Sequence, residues 1–149
     1  MGWMRDETGL EKRAANYVPL TPLSHLQRAA EVFPDDIAVV HGPHRKTYRE
    51  YHERVTRLAS ALTGMGVKPG DVVATILPNI PAQAEAHFGV PACGAVLNTI
   101  NTRLDVDTIA YILDHGEAKV VLCDPQFMSV LAEAIEQLDG PAPQVIEVA

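Results

Sequence analysis

Residues 77–104 read LPNIPAQAEAHFGVPACGAVLNTINTRL, and this stretch decides the fold. It is entered from Val72 to Leu77, a continuous apolar run of the kind a strand shows when both its faces are covered. Asn79 can cap a helix over 80–93, after which Ala95 to Asn98 forms a short apolar strand. A polar connection, Asn98-Thr99-Ile100-Asn101-Thr102-Arg103, then leads to Asp105, which can cap a second helix. Strand, helix, strand, polar loop, helix is the grammar of a parallel sheet, because parallel neighbours need a crossover between them.

The alternation continues downstream. Val106, Ile109, Ala110 and Leu113 share one helical face, closed by Gly116, and Lys119 to Cys123 reads as a third strand. Asp124-Pro125 opens a helix carrying Phe127, Leu131, Ala134, Ile135 and Leu138, and Gln144 to Val148 is a fourth strand. Four strands joined by three helices predict a mainly parallel sheet with right-handed crossovers. The final strand is followed by no covering helix, so it is expected to be the cut edge of a larger, truncated unit.

Upstream, Thr21-Pro22 starts a helix with Leu23, Leu26, Ala29, Ala30 and Phe33 at helical spacing, stopped by Pro34. Ile37 to His41 and Lys46 to Tyr48 flank the turn at Gly42-Pro43 and predict a small hairpin. Thr47 and Glu50 form a capping-box pair for a helix whose apolar face is Tyr51, Val55, Leu58, Ala59, Leu62 and Met65. Residues 1–20 are polar and aperiodic and are expected to form a loose arm, leaving 21–149 as one incomplete subdomain.

Composition bounds the function. The 149 residues are 47% hydrophobic and 21% charged, and 19 acidic against 12 basic side chains give a formal charge of −7. Such a surface disfavours nucleic acid and anionic membrane as partners. No apolar stretch is long enough to span a membrane, and the N-terminus lacks the apolar core of a signal peptide, which makes the cytoplasm the expected compartment. Asp6 stands where a myristoylation motif needs Ser or Thr. Cys93 and Cys123 lie apart in apolar surroundings and read as reduced core residues, with no metal-site spacing.

In an open parallel sheet, ligands bind beyond the carboxyl ends of the strands. Pro78-Asn79, Thr99 to Arg103, and Asp124-Pro125 occupy that edge. Capping alone accounts for Asn79 and Asp124. Thr99, Asn101, Thr102 and Arg103 bring more hydrogen-bonding capacity than one cap requires, and Arg103 is the only Lys or Arg between Lys68 and Lys119. A guanidinium there suits a phosphate or carboxylate; the competing reading is an ion pair to Asp105 or Asp107. Gly64, Gly66 and Gly70 close a helix and precede a strand, the reverse of a phosphate-cradling loop, and Ser24, Ser60 and Ser129 sit in no nucleophile elbow. His41 and His44 flank the hairpin turn and are expected to be exposed and inert; His87 falls on the 80–93 helix near Phe88, where Pro91 has no amide to donate to the His87 carbonyl and an ordinary packed kink is expected.

Three segments carry a family resemblance: TPLSHLQRAAEVFPDDIAVVHG, KTYREYHERVTRLASALTGMGVKPGDVVATILPN and HFGVPACGAVLNTINTRLDVDTIAYILDHGEAKVVLCD. In this order and spacing, from about Thr21 to the end, the chain resembles the N-terminal region of the adenylate-forming (AMP-binding) acyl-CoA synthetases. It is most similar to the branch with medium-chain fatty acid and methylthio-propionate CoA ligases. The resemblance implies a ligase of fatty acid metabolism that uses ATP, CoA and Mg²⁺ on a small carboxylic acid through an acyl-adenylate. It also implies that the phosphate loop and the catalytic Lys lie beyond residue 149, so that the fragment alone is inactive and binds no cofactor tightly. The resemblance also implies that the Asn98–Arg103 loop lies near where some family members receive the CoA nucleotide, which makes Thr99, Asn101, Thr102 and Arg103 candidates for CoA-side support. A homo-oligomer of the full-length enzyme is compatible with this resemblance. The alternative from the residues alone is a self-standing α/β domain that binds a nucleotide or a partner through the same loop without catalysis.

Overall fold

A computed structural model describes residues 9, 11–15 and 17–148. The expected arm over 1–20 falls partly outside these residues; those described between Gly9 and Leu20 form no helix or strand. Helix α1, Pro22–Val32, follows Thr21 with proline at its first turn, and Leu26 is its buried anchor. Phe33, expected on the apolar face, lies past the helix end and is 48% exposed, because the chain leaves helical geometry before Pro34.

Strands β1, Ile37–His41, and β2, His44–Thr47, pair antiparallel as the hairpin. Helix α2, Tyr48–Gly64, begins with the complete capping box: Glu50 N–H donates to the Thr47 hydroxyl while the Thr47 amide donates to the Glu50 carboxylate. The remaining elements are β3, Val72–Ile76; α3, Pro81–Ala92; β4, Val96–Thr99; α4, Val106–His115; β5, Ala118–Cys123; a 3-10 turn, Pro125–Phe127; α5, Met128–Ile135; and β6, Gln144–Glu147. The second sheet has the order β4-β3-β5-β6, and its pairings are all parallel, the orientation that the sequence predicts.

Alternation along the strands divides the core. Val73 and Leu77 with Val120 and Leu122 face α2 and α3, whereas Ala74 and Ile76 with Val121 and Cys123 face α4 and α5. A ladder irregularity between Val72 and Val73 skips Lys119, whose ammonium instead reaches the Asp71 carboxylate at 2.8 Å. A third cluster, Leu26, Tyr51 and Val55, ties α1 and the hairpin to α3 through Phe88. The Tyr51 and Phe88 rings meet edge to face with centroids 5.8 Å apart.

Asn79 does not cap α3. Ile80 occupies the N-cap position in extended geometry, and no side chain bonds the helix start. Pro81 sets this boundary: its ring drives the preceding residue out of helical conformation, so the helix begins at Pro81. Gly64 and Gly66 end α2, and the amide of Gly70, at φ +89°, donates to the Gly94 carbonyl in the turn before β4. These glycines lie at the amino edge of the sheet, away from the strand ends that receive ligands.

Helices α2 and α3 approach closely at Gly89. A Cβ there would fall 2.7 Å from Leu58 Cδ2 and 3.0 Å from Leu58 Cβ. Gly89→Ala should therefore destabilise the chain by about 1–3 kcal/mol through overpacking, although alanine is worth about 1 kcal/mol more than glycine in a helix interior. Denaturant unfolding of Gly89→Ala, Leu58→Ala and the double variant checks this. The double variant should be more stable than the two single losses added together; strict additivity would place the strain elsewhere.

Candidate functional site

The helix after β3 packs on one face of the sheet, and those after β4 and β5 pack on the other. The loops leaving β3 and its two neighbours therefore diverge, opening crevices on both sides of the β3 end where open parallel sheets take ligands. The register sets Thr75 beside Thr99 and Ile76 beside Cys123, so the loops after residues 77, 99 and 123 share this edge.

The loop between β4 and α4 is pinned at both ends. The Ile100 amide donates to the Thr75 carbonyl at 2.9 Å, and the Ile100 side chain is buried in the α4–α5 core. The Asn101 side-chain oxygen accepts from the Arg103 amide at 3.0 Å, closing a local turn. Thr102 is half-buried, while Thr99, Asn101 and Arg103 are exposed. Asp105 accepts from the Thr108 amide at 2.8 Å and caps α4 as expected. Hydrogen bonding to the Thr108 hydroxyl and amide holds its carboxyl below the usual carboxylate range.

The ion-pair reading of Arg103 thus fails. Among the described residues its guanidinium pairs with neither Asp105 nor Asp107, and the Lys119–Asp71, Lys46–Glu85 and Arg54–Glu85 pairs lie elsewhere. An unpaired guanidinium beside backbone turned by Asn101 is free to meet an anion.

At the neighbouring loop, Asp124 accepts from the Gln126 amide at 3.0 Å, and its own amide donates to the Ile76 carbonyl. Its predicted capping role is met by the 3-10 turn that precedes α5. Cys123 is buried, and burial followed by the charges of Asp124 and Glu147 pushes its thiol up to about 11. Both cysteines are free. Cys123 is therefore a core residue, as the sequence predicts, in surroundings that disfavour the thiolate. His41, His44 and His87 are exposed.

A buried carboxylate escaped the sequence reading. Glu85 on α3 is 5% exposed, and one of its oxygens accepts from Lys46 of β2 at 2.7 Å and from Arg54 of α2 at 2.5 Å. Burial pushes its pKa up, but hydrogen bonds from Arg54 and Lys46 outweigh this and leave it lowered. The signal was available: Glu85 is the only Asp, Glu, Lys or Arg in the α3 sequence PAQAEAHFGVPA.

The family is shown by comparison with known proteins. Residues 26–148 match the AMP-binding enzyme family, and the chain belongs to it. It is 46% identical over 138 residues to the peroxisomal acetate/butyrate–CoA ligase AAE7 of Arabidopsis thaliana, covering 93% of this chain and 24% of that protein. It is also 46% identical over 134 residues to the acetate–CoA ligase CCL3 of Humulus lupulus, covering 90% of this chain and 24% of the relative. The chain thus spans about a quarter of the length of the curated relatives it matches. Among solved structures, the benzoate CoA ligase of Burkholderia xenovorans LB400 aligns with a TM-score of 0.79 at 27% identity, over 85% of this chain and 25% of that one. The N-terminal domain of FACL13 from Mycobacterium tuberculosis aligns at 0.76 and 30% identity, over 83% and 32% respectively.

The Glu85 cluster gives a pH-dependent expectation. A carboxyl whose folded pKa is lowered contributes stability that is complete above its unfolded value and is lost as pH falls through the folded value. Glu85→Gln should cost about 1–2 kcal/mol at neutral pH, toward the low end for a buried cluster because Arg54 remains half exposed. Its unfolding free energy should also fall less steeply than the native chain's on acidification. Parallel acid limbs in the two chains would remove Glu85 as the source.

Proposed function

We propose that residues 21–149 form the N-terminal subdomain of an ATP-dependent carboxylate–CoA ligase, with 1–20 as a leading arm. The observation that carries this reading is the unpaired Arg103 at the carboxyl edge, in a chain of the AMP-binding enzyme family. In the reaction, a carboxylate oxygen of a small acid attacks the α-phosphorus of ATP and pyrophosphate leaves. The CoA sulfur then forms a thioester at the acyl carbon, and AMP departs with the electron pair of the broken acyl–oxygen bond.

The contribution of this chain lies on the CoA side. Thr99 and Asn101 offer exposed polar groups, Thr102 lies half-buried between them and Arg103, and Arg103 presents a planar cation to a phosphate of the incoming nucleotide. No glycine-rich loop joins a strand to a helix at this edge, and among the described residues no group of three His, Cys, Asp or Glu side chains comes together. The triphosphate and Mg²⁺ are accordingly assigned to other parts of the ligase, and the 149-residue chain alone should release no pyrophosphate from ATP in the presence of acids.

The acid is a small carboxylic acid. The relatives are named for acetate, butyrate, cinnamate and benzoate, whereas the sequence reading favours a medium-chain fatty or methylthio-propionate substrate; assays across these acids separate the two. The cytoplasm is the compartment this reading adopts, and since several plant relatives bear peroxisomal names, imaging of a tagged chain distinguishes the two compartments. Among the described residues, no helix is long and apolar enough to cross a membrane.

In the ligase that carries this segment, Arg103→Ala should weaken CoA by about 1–3 kcal/mol, read as a raised KM for CoA. Acyl-adenylate formation, which precedes CoA entry, should change little, and so should the melting temperature. An unchanged KM with a lower melting temperature would reduce Arg103 to scaffold.

A further inference from the structure

Away from the carboxyl-edge loop, a groove of about 580 Å³ opens between the hairpin, Tyr51 of α2 and the first half of α3. Its volume lies in the range of small-molecule sites, about 300–1,000 Å³. Val39, Val40, Ile80, Pro81, Ala84 and Phe88 make its walls apolar, and among the described residues no Asp, Glu, Lys or Arg lines it. The Tyr51 hydroxyl donates to the Ala84 carbonyl at 2.7 Å, so this donor is already engaged.

Besides Tyr51, the polar side chains His41, Asn79, Gln83 and His87 interrupt the apolar lining, and two of them, Gln83 and His87, present acceptors that matter here. His87 Nδ1 lies 2.7 Å from the Gln83 carbonyl, which can only accept, so Nδ1 carries the proton and Nε2 of the neutral ring is an acceptor. The side-chain oxygen of Gln83 is shut from water and has no hydrogen-bond partner. A buried acceptor left unpaired is costly, and a donor that reached it would recover that cost. Gln83 itself lines the groove, and because the terminal torsion of glutamine is broad, rotation about χ3 is the route by which Oε1 would meet a ligand there. An apolar, uncharged groove with an unsatisfied amide oxygen calls for an uncharged ligand that donates.

We propose that this groove binds a neutral, largely apolar small molecule whose hydroxyl or amide N–H is received by the Gln83 side-chain oxygen and His87 Nε2. The site is separate from the loop assigned to CoA and does not rest on the ligase reading. Its recognition differs in kind: the Arg103 loop takes anions, whereas here a charged headgroup would meet no counter-ion.

The test uses the 149-residue chain labelled with ¹⁵N and two probes with the same apolar body, 4-butylphenol and 4-butylanisole. In the anisole a methyl group replaces the hydroxyl proton, so it keeps the apolar body and cannot donate. The native chain should bind the phenol about tenfold more tightly, the size of one net hydrogen bond, with shifts centred on 39–41 and 80–88. Gln83→Met, which keeps volume and helix propensity but removes the acceptor, should bind the two probes with nearly equal affinity. Val40→Trp, a substitution at a 60% exposed position that fills the groove, should weaken both. Equal affinity for the two probes in the native chain, shifts outside these segments, or no binding of either probe would overturn the proposal.

Discussion

The pairing of β3 with both neighbours in one parallel register is the constraint on which the rest of the structure depends. Ala74 lies opposite Asn98 on one side and Val121 on the other, so three carboxyl ends reach the same edge. Both faces of β3 are then covered, and each residue from Val73 to Leu77 is at most 6% exposed. The helix leaving β3 must cross the α2 face, and it comes near enough that position 89 has no room for a methyl group. Closeness of α2 and α3 in turn buries Glu85, which recruits Lys46 and Arg54 and so fastens the hairpin to the sheet layer. One register thus determines the edge loops, the glycine and the ion cluster in sequence.

Elements with a local cause were legible in the sequence. The Thr47–Glu50 box, the Asp105 and Asp124 caps and the parallel strand–helix alternation follow from residues close together in the chain, and the structure keeps them. Asn79 misled because two local signals compete there: an Asx side chain suits a cap, but Pro81 two residues later fixes the helix start more rigidly. The Glu85 cluster and the groove were not legible, since each is assembled from the hairpin, α2 and α3, and no short window contains their partners. The edge loop was half legible. Its placement follows from the βα order, but only the structure shows Asp105 committed to Thr108 and Arg103 left unpaired.

Chemistry divides between the two sites in accord with their construction. The carboxyl-edge loop is polar, exposed and cationic, with Ile100 as the apolar nail that holds it against Thr75. Rigid attachment with a free guanidinium suits a phosphate group arriving from solvent, because little ordering is needed when it binds. The groove beside α3 has the opposite character, largely apolar, with no Asp, Glu, Lys or Arg among its described lining residues and with the Gln83 oxygen unpaired. A chain that spans about a quarter of its relatives' length presents these surfaces as parts of a ligase fold rather than as a finished active site.

The central claim is that the Asn98–Arg103 loop is the face this chain turns to a nucleotide phosphate. Titration of the ¹⁵N-labelled chain with CoA, followed by amide chemical shifts, tests it most directly. The account predicts weak binding with the largest shifts at Thr99, Asn101, Thr102 and Arg103, and their loss when Arg103 is replaced by alanine. Shifts centred on Gly64 to Gly70 or on the hairpin, with the edge loop unmoved, would contradict it.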